Sequence, residues 1–245
     1  MNEPARAEVA FVCAMPMEVK PLVRKLRLTK AAIGGEPAYR GSLGNRRVVA
    51  IVTGMGTKLA SAGVGRLLDA MTVDRVVVVG ITGAVDNETP IGTLVLPEVV
   101  VDGATGTEHR PDPLGAGDGP PLGRPHGKMW TSDALTTDLA VVARLRSEGV
   151  VSLDMETAAI AAVCEERGVP WSVVRVISDR ATDGSIDSEV FGMSHQDGTP
   201  DPKAVVRFFL RHPGRIPGMV RLARGAMMAA RNAAEMAIRA VEAHA

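Results

Sequence analysis

Aromatic side chains are scarce in this 245-residue chain: two Trp, one Tyr and four Phe, 3% of the whole. So few rings offer no stacking platform for single-stranded nucleic acid. A surplus of one charge is missing as well. Lys and Arg number 28 and Asp and Glu number 28, so the whole molecule has no field that would gather a polyanion. Only two cysteines occur, Cys13 and Cys164, far apart and in apolar surroundings. They read as buried reduced thiols, with no disulfide framework and no metal-ligand spacing. The N-terminal MNEPARAE lacks a signal peptide's apolar core, and no apolar run approaches the ~18 residues needed to span a bilayer. A soluble, cytoplasmic protein without metal or cofactor is the expectation.

What is present suffices for one sizeable α/β domain with a full core. Residues 9–14 form an apolar strand candidate that turns through Met15-Pro16-Met17 into a helix. Proline near a helix start is favourable because its missing N–H would be unpaired there. Glu18 then lies in the first turn, where it complements the helix dipole or acts as a general base. Residues 39–43 and 47–53 read as strands around a Gly44-Asn45 turn. Gly54-Met55-Gly56-Thr57-Lys58 has neither Walker spacing nor a GxGxxG fingerprint. Its glycines, followed by small residues on a helix, point to close backbone packing. Residues 75–79 make an apolar strand with a Gly80-Ile81-Thr82-Gly83-Ala84 turn after it, and 92–101 a further strand. Residues 104–127, rich in Gly, Pro and Asp, read as a surface excursion carrying solvated His109 and His126. Ser132 or Asp133 is placed to cap a helix running to about Arg146.

The stretch 152–183 organises the rest: an acidic cluster (Asp154, Met155, Glu156), an alanine-rich helix over 157–167, and a β-branched strand over 171–177 ending in Ser178-Asp179-Arg180. Gly168 and Pro170 stop the helix. One carboxylate thus sits at a helix start and another at a strand's carboxyl end, which is where open α/β sheets bind ligands. Beyond it, residues to 202 are loop-like, with His195, a DGTPDP turn and Phe191 as an aromatic lid or a buried anchor. Residues 203–245 hold seven arginines and one lysine against two glutamates, net +6 by subtraction, on a helical apolar pattern. They read as amphipathic helices with a solvated basic face, or as a weak contact with an anionic membrane surface.

Asp154-Met155-Glu156 with a small-residue helix, Val169-Pro170 and Arg175-Val176-Ile177-Ser178-Asp179 together resemble the nucleoside phosphorylase and nucleosidase superfamily. Within it, the chain most resembles the methylthioadenosine/S-adenosylhomocysteine nucleosidases, over roughly residues 9–202. The arginine-rich tail and the Gly-Ile-Thr-Gly stretch are similar to its hopanoid-associated branch, whose nucleosidases act on an adenosyl lipid. The resemblance implies a single α/β domain over residues 1–202, a twisted mixed sheet flanked by helices, and the apolar helical pattern of 203–245 reads as a basic helical extension packed on it. It also implies a small nucleoside substrate and, by analogy, a homodimer.

The resemblance further assigns roles. The Ala14, Met15 and Glu18 pattern matches the glutamate that activates water. Asp179 would donate a proton to N7 of the leaving base, and Ser178 would fix it. Glu156 would accept from ribose hydroxyls, with Met155 beneath the sugar and Arg175 orienting carboxylates or water. Leu135 and Thr136 would line the base pocket. Superfamily phosphorylases grip phosphate with an arginine and a serine where this chain has Val78 and Ile81, and neither offers a donor or a charge. Hydrolysis is therefore expected over phosphorolysis. Ile81 also departs from the nucleosidases, which keep that serine, and Thr82 is the nearest substitute. Cleavage of C1′–N9 builds a cationic sugar and an anionic purine, and two carboxyl groups with different jobs suit it. A phosphorylase, a non-catalytic nucleoside-binding protein and a dinucleotide oxidoreductase are the alternatives.

Overall fold

The computed structural model describes every residue except 1–4, 115–122, 125, 183, 185, 196–198, 200 and 244–245. In chain order the elements are β1 (Arg6–Ala7), β2 (Val9–Cys13), α1 (Pro16–Lys25), β3 (Thr29–Ile33), β4 (Glu36–Leu43), β5 (Arg46–Val52) and α2 (Thr57–Ala70). There follow β6 (Thr72–Val73), β7 (Val76–Ala84), β8 (Leu94–Val95), β9 (Val99–Asp102), β10 (Glu108–His109), β11 (Lys128–Thr131) and α3 (Leu139–Ser147). The last third is β12 (Val150–Asp154), α4 (Thr157–Glu166), β13 (Trp171–Arg180), α5 (Ser188–Phe191), α6 (Pro202–Arg211), a 3-10 turn (Pro213–Arg215) and α7 (Ile216–Ala243).

Strand β7 is the hub of one large mixed sheet. It pairs in parallel with β2 and with β13, and its far end pairs antiparallel with β12. The path runs β10-β9-β11-β12-β7-β2-β5-β4-β3. Strands β2, β7 and β13 read as near-continuous apolar runs because helices cover both faces of the sheet. The pleat divides each run in two. Ala10, Val12, Val76, Val78, Val173 and Ile177 pack with α2 and α4 on one face. Phe11, Val77, Val79, Val174 and Val176 pack with α1 and α7 on the other. Alanine at 229, 233, 234 and 237 is fully buried and lets α7 lie close on the strands. Enlarging one of these alanines to leucine overpacks that layer and costs about 1–3 kcal/mol. The second half of α7 thus forms part of the helical layer on that face of the sheet.

Several sequence expectations need correction. The Gly80-to-Ala84 segment is not a turn: it continues β7, because β13 pairs with it through Arg175↔Gly80, Val176↔Ile81 and Ile177↔Thr82. The strand expected over 92–101 splits into β8 and β9 around Pro97, which has no N–H to give a ladder. Helix α3 starts later than expected. Its cap is Asp138, whose carboxylate accepts from the N–H groups of Ala140 and Val141, not Ser132 or Asp133. His109 is not solvated: it is buried on β10 beneath α4, with Nδ1 2.8 Å from Glu165. Both cysteines are free and buried. Part of the 104–127 excursion, and residues 197, 198 and 200 of the DGTPDP turn, lie outside the described residues. No described helix is long and apolar enough to cross a membrane.

Candidate active site

The site gathers at the carboxyl ends of β2, β7 and β13, beside the β5–α2 connection. Glu18 is the first component. Pro16 opens α1, and Glu18 sits in its first turn. Its carboxylate reaches back to accept from the N–H groups of Ala14 at 2.8 Å and Met15 at 2.9 Å. The other oxygen accepts from Ile81 N–H at 2.9 Å across the sheet. Glu18 is 1% exposed. Burial raises its pKa, against the Arg175 charge and these three backbone donors.

Arg175, on β13, carries the one buried guanidinium of the site. Its Nη2 lies 2.7 Å from Asp154, 3.4 Å from Glu156 and 3.1 Å from the Thr157 hydroxyl. Its Nη1 donates to the Ile81 carbonyl at 3.1 Å and stands 3.6 Å from Glu18. Burial works to lower the Arg175 pKa, but Asp154, Glu18 and Glu156 outweigh it and raise it. Three carboxylates therefore share one cation in a desolvated pocket, and the surplus negative charge is costly. Burial, then the Asp154 charge, pushes the Glu156 pKa up to about 7.

Asp154 is the residue that sequence reasoning left without a role. It ends β12, accepts from the Thr131 hydroxyl at 2.6 Å and from Thr157 N–H at 3.0 Å, and also bonds the Thr157 hydroxyl. Its signal was the Asp-x-Glu spacing: Asp154 points inward from the last pleat of a strand, and Glu156 follows at the N-cap of α4. The Glu156 carboxylate accepts from Gly56 N–H at 3.0 Å. Close by, Asp133 accepts from both the N–H and the hydroxyl of Thr57, capping α2. Gly54 and Gly56 both take positive φ, and Gly56 presents its N–H donor to the site; the close packing falls on the following helix, where a Cβ on Gly63 would lie 2.8 Å from the Thr53 side chain.

At the opposite wall, β13 bulges after Ile177 and brings Asp179 beside Gly83. Ser178 donates to the Asp179 carboxylate at 2.5 Å. The Thr82 hydroxyl is spent on the Leu153 carbonyl at 2.7 Å, so Thr82 lines the cavity without a free donor. Val78 lies in the core, and only Ile81 of that pair reaches the cavity.

A cavity of about 460 Å³ joins these groups and has the size and apolar lining of a small-molecule site. Met155, Leu135, Thr136 and Phe191 all line it. Its far end is apolar, walled by Met17, Val190, Met193, Val205, Met219 and Leu222. Among the described residues no cluster of His, Cys, Asp and Glu is arranged to hold a metal ion.

Comparison with known proteins agrees with this architecture. The phosphorylase superfamily model matches residues 8–125 and 115–211. The 5′-methylthioadenosine/S-adenosylhomocysteine nucleosidase of Chromohalobacter salexigens is 30% identical over 203 residues, 71% of this chain and 85% of that protein. The enzyme of that name from Actinobacillus succinogenes is 28% identical, covering 79% of this chain and 92% of its own. S-adenosylhomocysteine nucleosidase from Streptococcus pyogenes superposes with a TM-score of 0.72 at 17% identity, covering 99% of this chain and 98% of its own. Futalosine hydrolase of Helicobacter pylori gives 0.71 at 15% identity, covering 98% of each chain. These two share the fold. With that family model spanning residues 8–211 and nucleosidases aligned along most of it, the chain belongs to the phosphorylase superfamily, on its nucleosidase side.

Proposed function

We propose that this protein hydrolyses the N-glycosidic bond of an adenosine-type nucleoside and releases the free purine. The observation that carries hydrolysis over phosphorolysis is the electrostatics of the cavity. Its described lining holds two cationic side chains, Arg175 and Arg180. Arg175 is enclosed by Asp154, Glu156 and Glu18, and Arg180 donates its Nε–H to the Thr89 carbonyl at 3.1 Å. A phosphate dianion entering beside Arg175 would meet three buried carboxyl groups, where repulsion is weakly screened. A neutral water would not.

The roles then follow from position. Glu18, held by three backbone N–H groups, takes a proton from the attacking water. Oxygen bonds to C1′ as the C1′–N9 bond breaks, and the bonding pair leaves with the purine. Asp179, oriented by Ser178, supplies the proton that the purine gains at N7. Glu156 accepts from the ribose hydroxyls, and Met155 packs beneath the sugar. The positive charge that develops on the ribosyl ring lies among carboxylates, which favours the transition state over the neutral substrate. Leu135 and Thr136 border the base, and Phe191 closes over it.

Methylthioadenosine and S-adenosylhomocysteine, the compounds for which the aligned relatives are named, are the first candidates. The apolar far end of the cavity suits an apolar 5′ substituent. The assembly is read as a homodimer, and the basic C-terminal segment as a weak contact with an anionic surface. Free base released from methylthioadenosine, S-adenosylhomocysteine, adenosine, inosine and futalosine in phosphate-free buffer tests the reading. Adenine release from a 5′-substituted adenosine supports it. Inertness toward all five overturns it for these substrates.

A further inference from the structure

Six of the seven large apolar side chains that stand exposed on the described surface fall within one short segment: Val206, Leu210, Ile216, Val220, Met227 and Met228. Leu210 is 80% exposed and Val206 58%. They form ordered stripes. On α6, Val206 and Leu210 are one turn apart, beside Arg207 and Arg211 one turn apart. On α7, Ile216, Val220, Ala223 and Met227 follow one helical face, with Arg221, Arg224 and Arg231 along the next.

Cations dominate the same segment. Residues 202–234 contain one lysine and six arginines and no acidic side chain. Arg215 is used internally: it pairs with Asp187 at 2.8 Å and lies 5.0 Å over the Phe208 ring. Arg211, Arg221 and Arg224 form no ion pair among the described residues.

We propose that the outer face of α6, the 3-10 turn and the first half of α7 docks on an anionic lipid bilayer. The apolar stripes enter the interface, and the arginines meet headgroup phosphates. Exposed apolar side chains bordered by arginine match what an interfacial helix requires. A second copy of the chain is the weaker occupant. A twofold contact sets the same patch against itself, and here that opposes arginine to arginine with no carboxylate in the segment. The inner faces of the same helices, through Val205, Met219 and Leu222, wall the apolar end of the cavity. Docking therefore brings that end of the site next to lipid. This inference rests on the surface contact proposed above and gives it a partner and a set of residues.

The test is co-sedimentation of the full chain with phosphatidylcholine vesicles and with phosphatidylcholine/phosphatidylglycerol vesicles, at low and high salt. Binding only to the anionic vesicles, weakened by salt, is expected. Val206→Glu with Leu210→Glu should weaken it about tenfold or more, with base release from a soluble nucleoside unchanged. If that pair fails to fold by circular dichroism, Arg207→Gln, Arg211→Gln and Arg221→Gln combined carry the same test through a shallower salt dependence. Equal binding to both vesicle types, no binding to either, or a dimer that Leu210→Glu dissociates would overturn the proposal. Failure of the nucleosidase reading shows separately, as vesicle binding without base release.

Discussion

Glu18 and Arg175 stand 3.6 Å apart, and they do so because the residue between them is glycine. A Cβ on Gly80 would overlap the Glu18 carboxylate and lie 2.6 Å from Arg175 Nη1. The central strand gives up a side chain at the point where the Glu18 carboxylate and the Arg175 guanidinium meet. The affected atoms belong to a buried carboxylate pinned by three N–H groups, so the neighbour has nowhere to move.

Gly80→Ala should therefore displace Glu18 more than it unfolds the sheet. The expected cost is about 1–3 kcal/mol in stability and about 10²-fold in kcat/KM, the usual penalty for a misplacement of about 1 Å. Thermal unfolding and initial rates check both. A variant with full activity would mean that Glu18 is not the base.

Glu18→Gln and Asp179→Asn keep the shape and remove the proton chemistry. Each should lower kcat by about 10² to 10⁴-fold, with the fold retained and KM changed far less. A fall in affinity with kcat intact would show a binding role instead.

Asp154→Asn should act through its neighbours. The Asp154 charge is a cause of the raised Glu156 pKa, second to burial. Removing it lowers that pKa, and the acid limb of the pH–rate profile should move to lower pH. Asparagine keeps an oxygen to accept from Thr131 or Thr157. A profile of unchanged shape at lower rate would reduce Asp154 to a structural part.

Stability should also depend on pH through Glu156. Its folded pKa, about 7, is above the ordinary value of 4.5, so the folded protein holds a proton that the unfolded chain has released between those values. Stability from this group is thus present below about pH 4.5 and lost as pH rises toward 7. The span is on the order of 3 kcal/mol, since one pKa step is worth about 1.4 kcal/mol. Glu156→Gln should remove that slope, so the variant gains relative to the parent from pH 5 to pH 7.5. Parallel denaturation curves at both pH values would contradict it.

Legibility from sequence tracked locality. Strands β2 and β13 and helix α4 announced themselves because apolar runs and small-residue periodicity are local properties. Glu18, Glu156 and Asp179 sat in short motifs and could be picked out before any coordinates. What was hidden depends on long-range pairing. Gly80 to Ala84 looks like a turn until β13 pairs with it, and β12 is short enough that its alternation is lost beside α4. Asp154 gained its meaning only when a guanidinium 21 residues away folded onto it. His109 needed the Glu165 carboxylate on α4 to become a buried partner instead of a surface loop residue.

The most direct test of the hydrolytic claim is the origin of the new oxygen at C1′. The substrate should be turned over in ¹⁸O-labelled water with excess unlabelled phosphate, and the sugar product analysed by mass spectrometry. A site with Arg175 locked among three carboxylates predicts a free sugar carrying one ¹⁸O at C1′, at a rate independent of phosphate. A sugar 1-phosphate without label would contradict it and show that phosphate is the nucleophile.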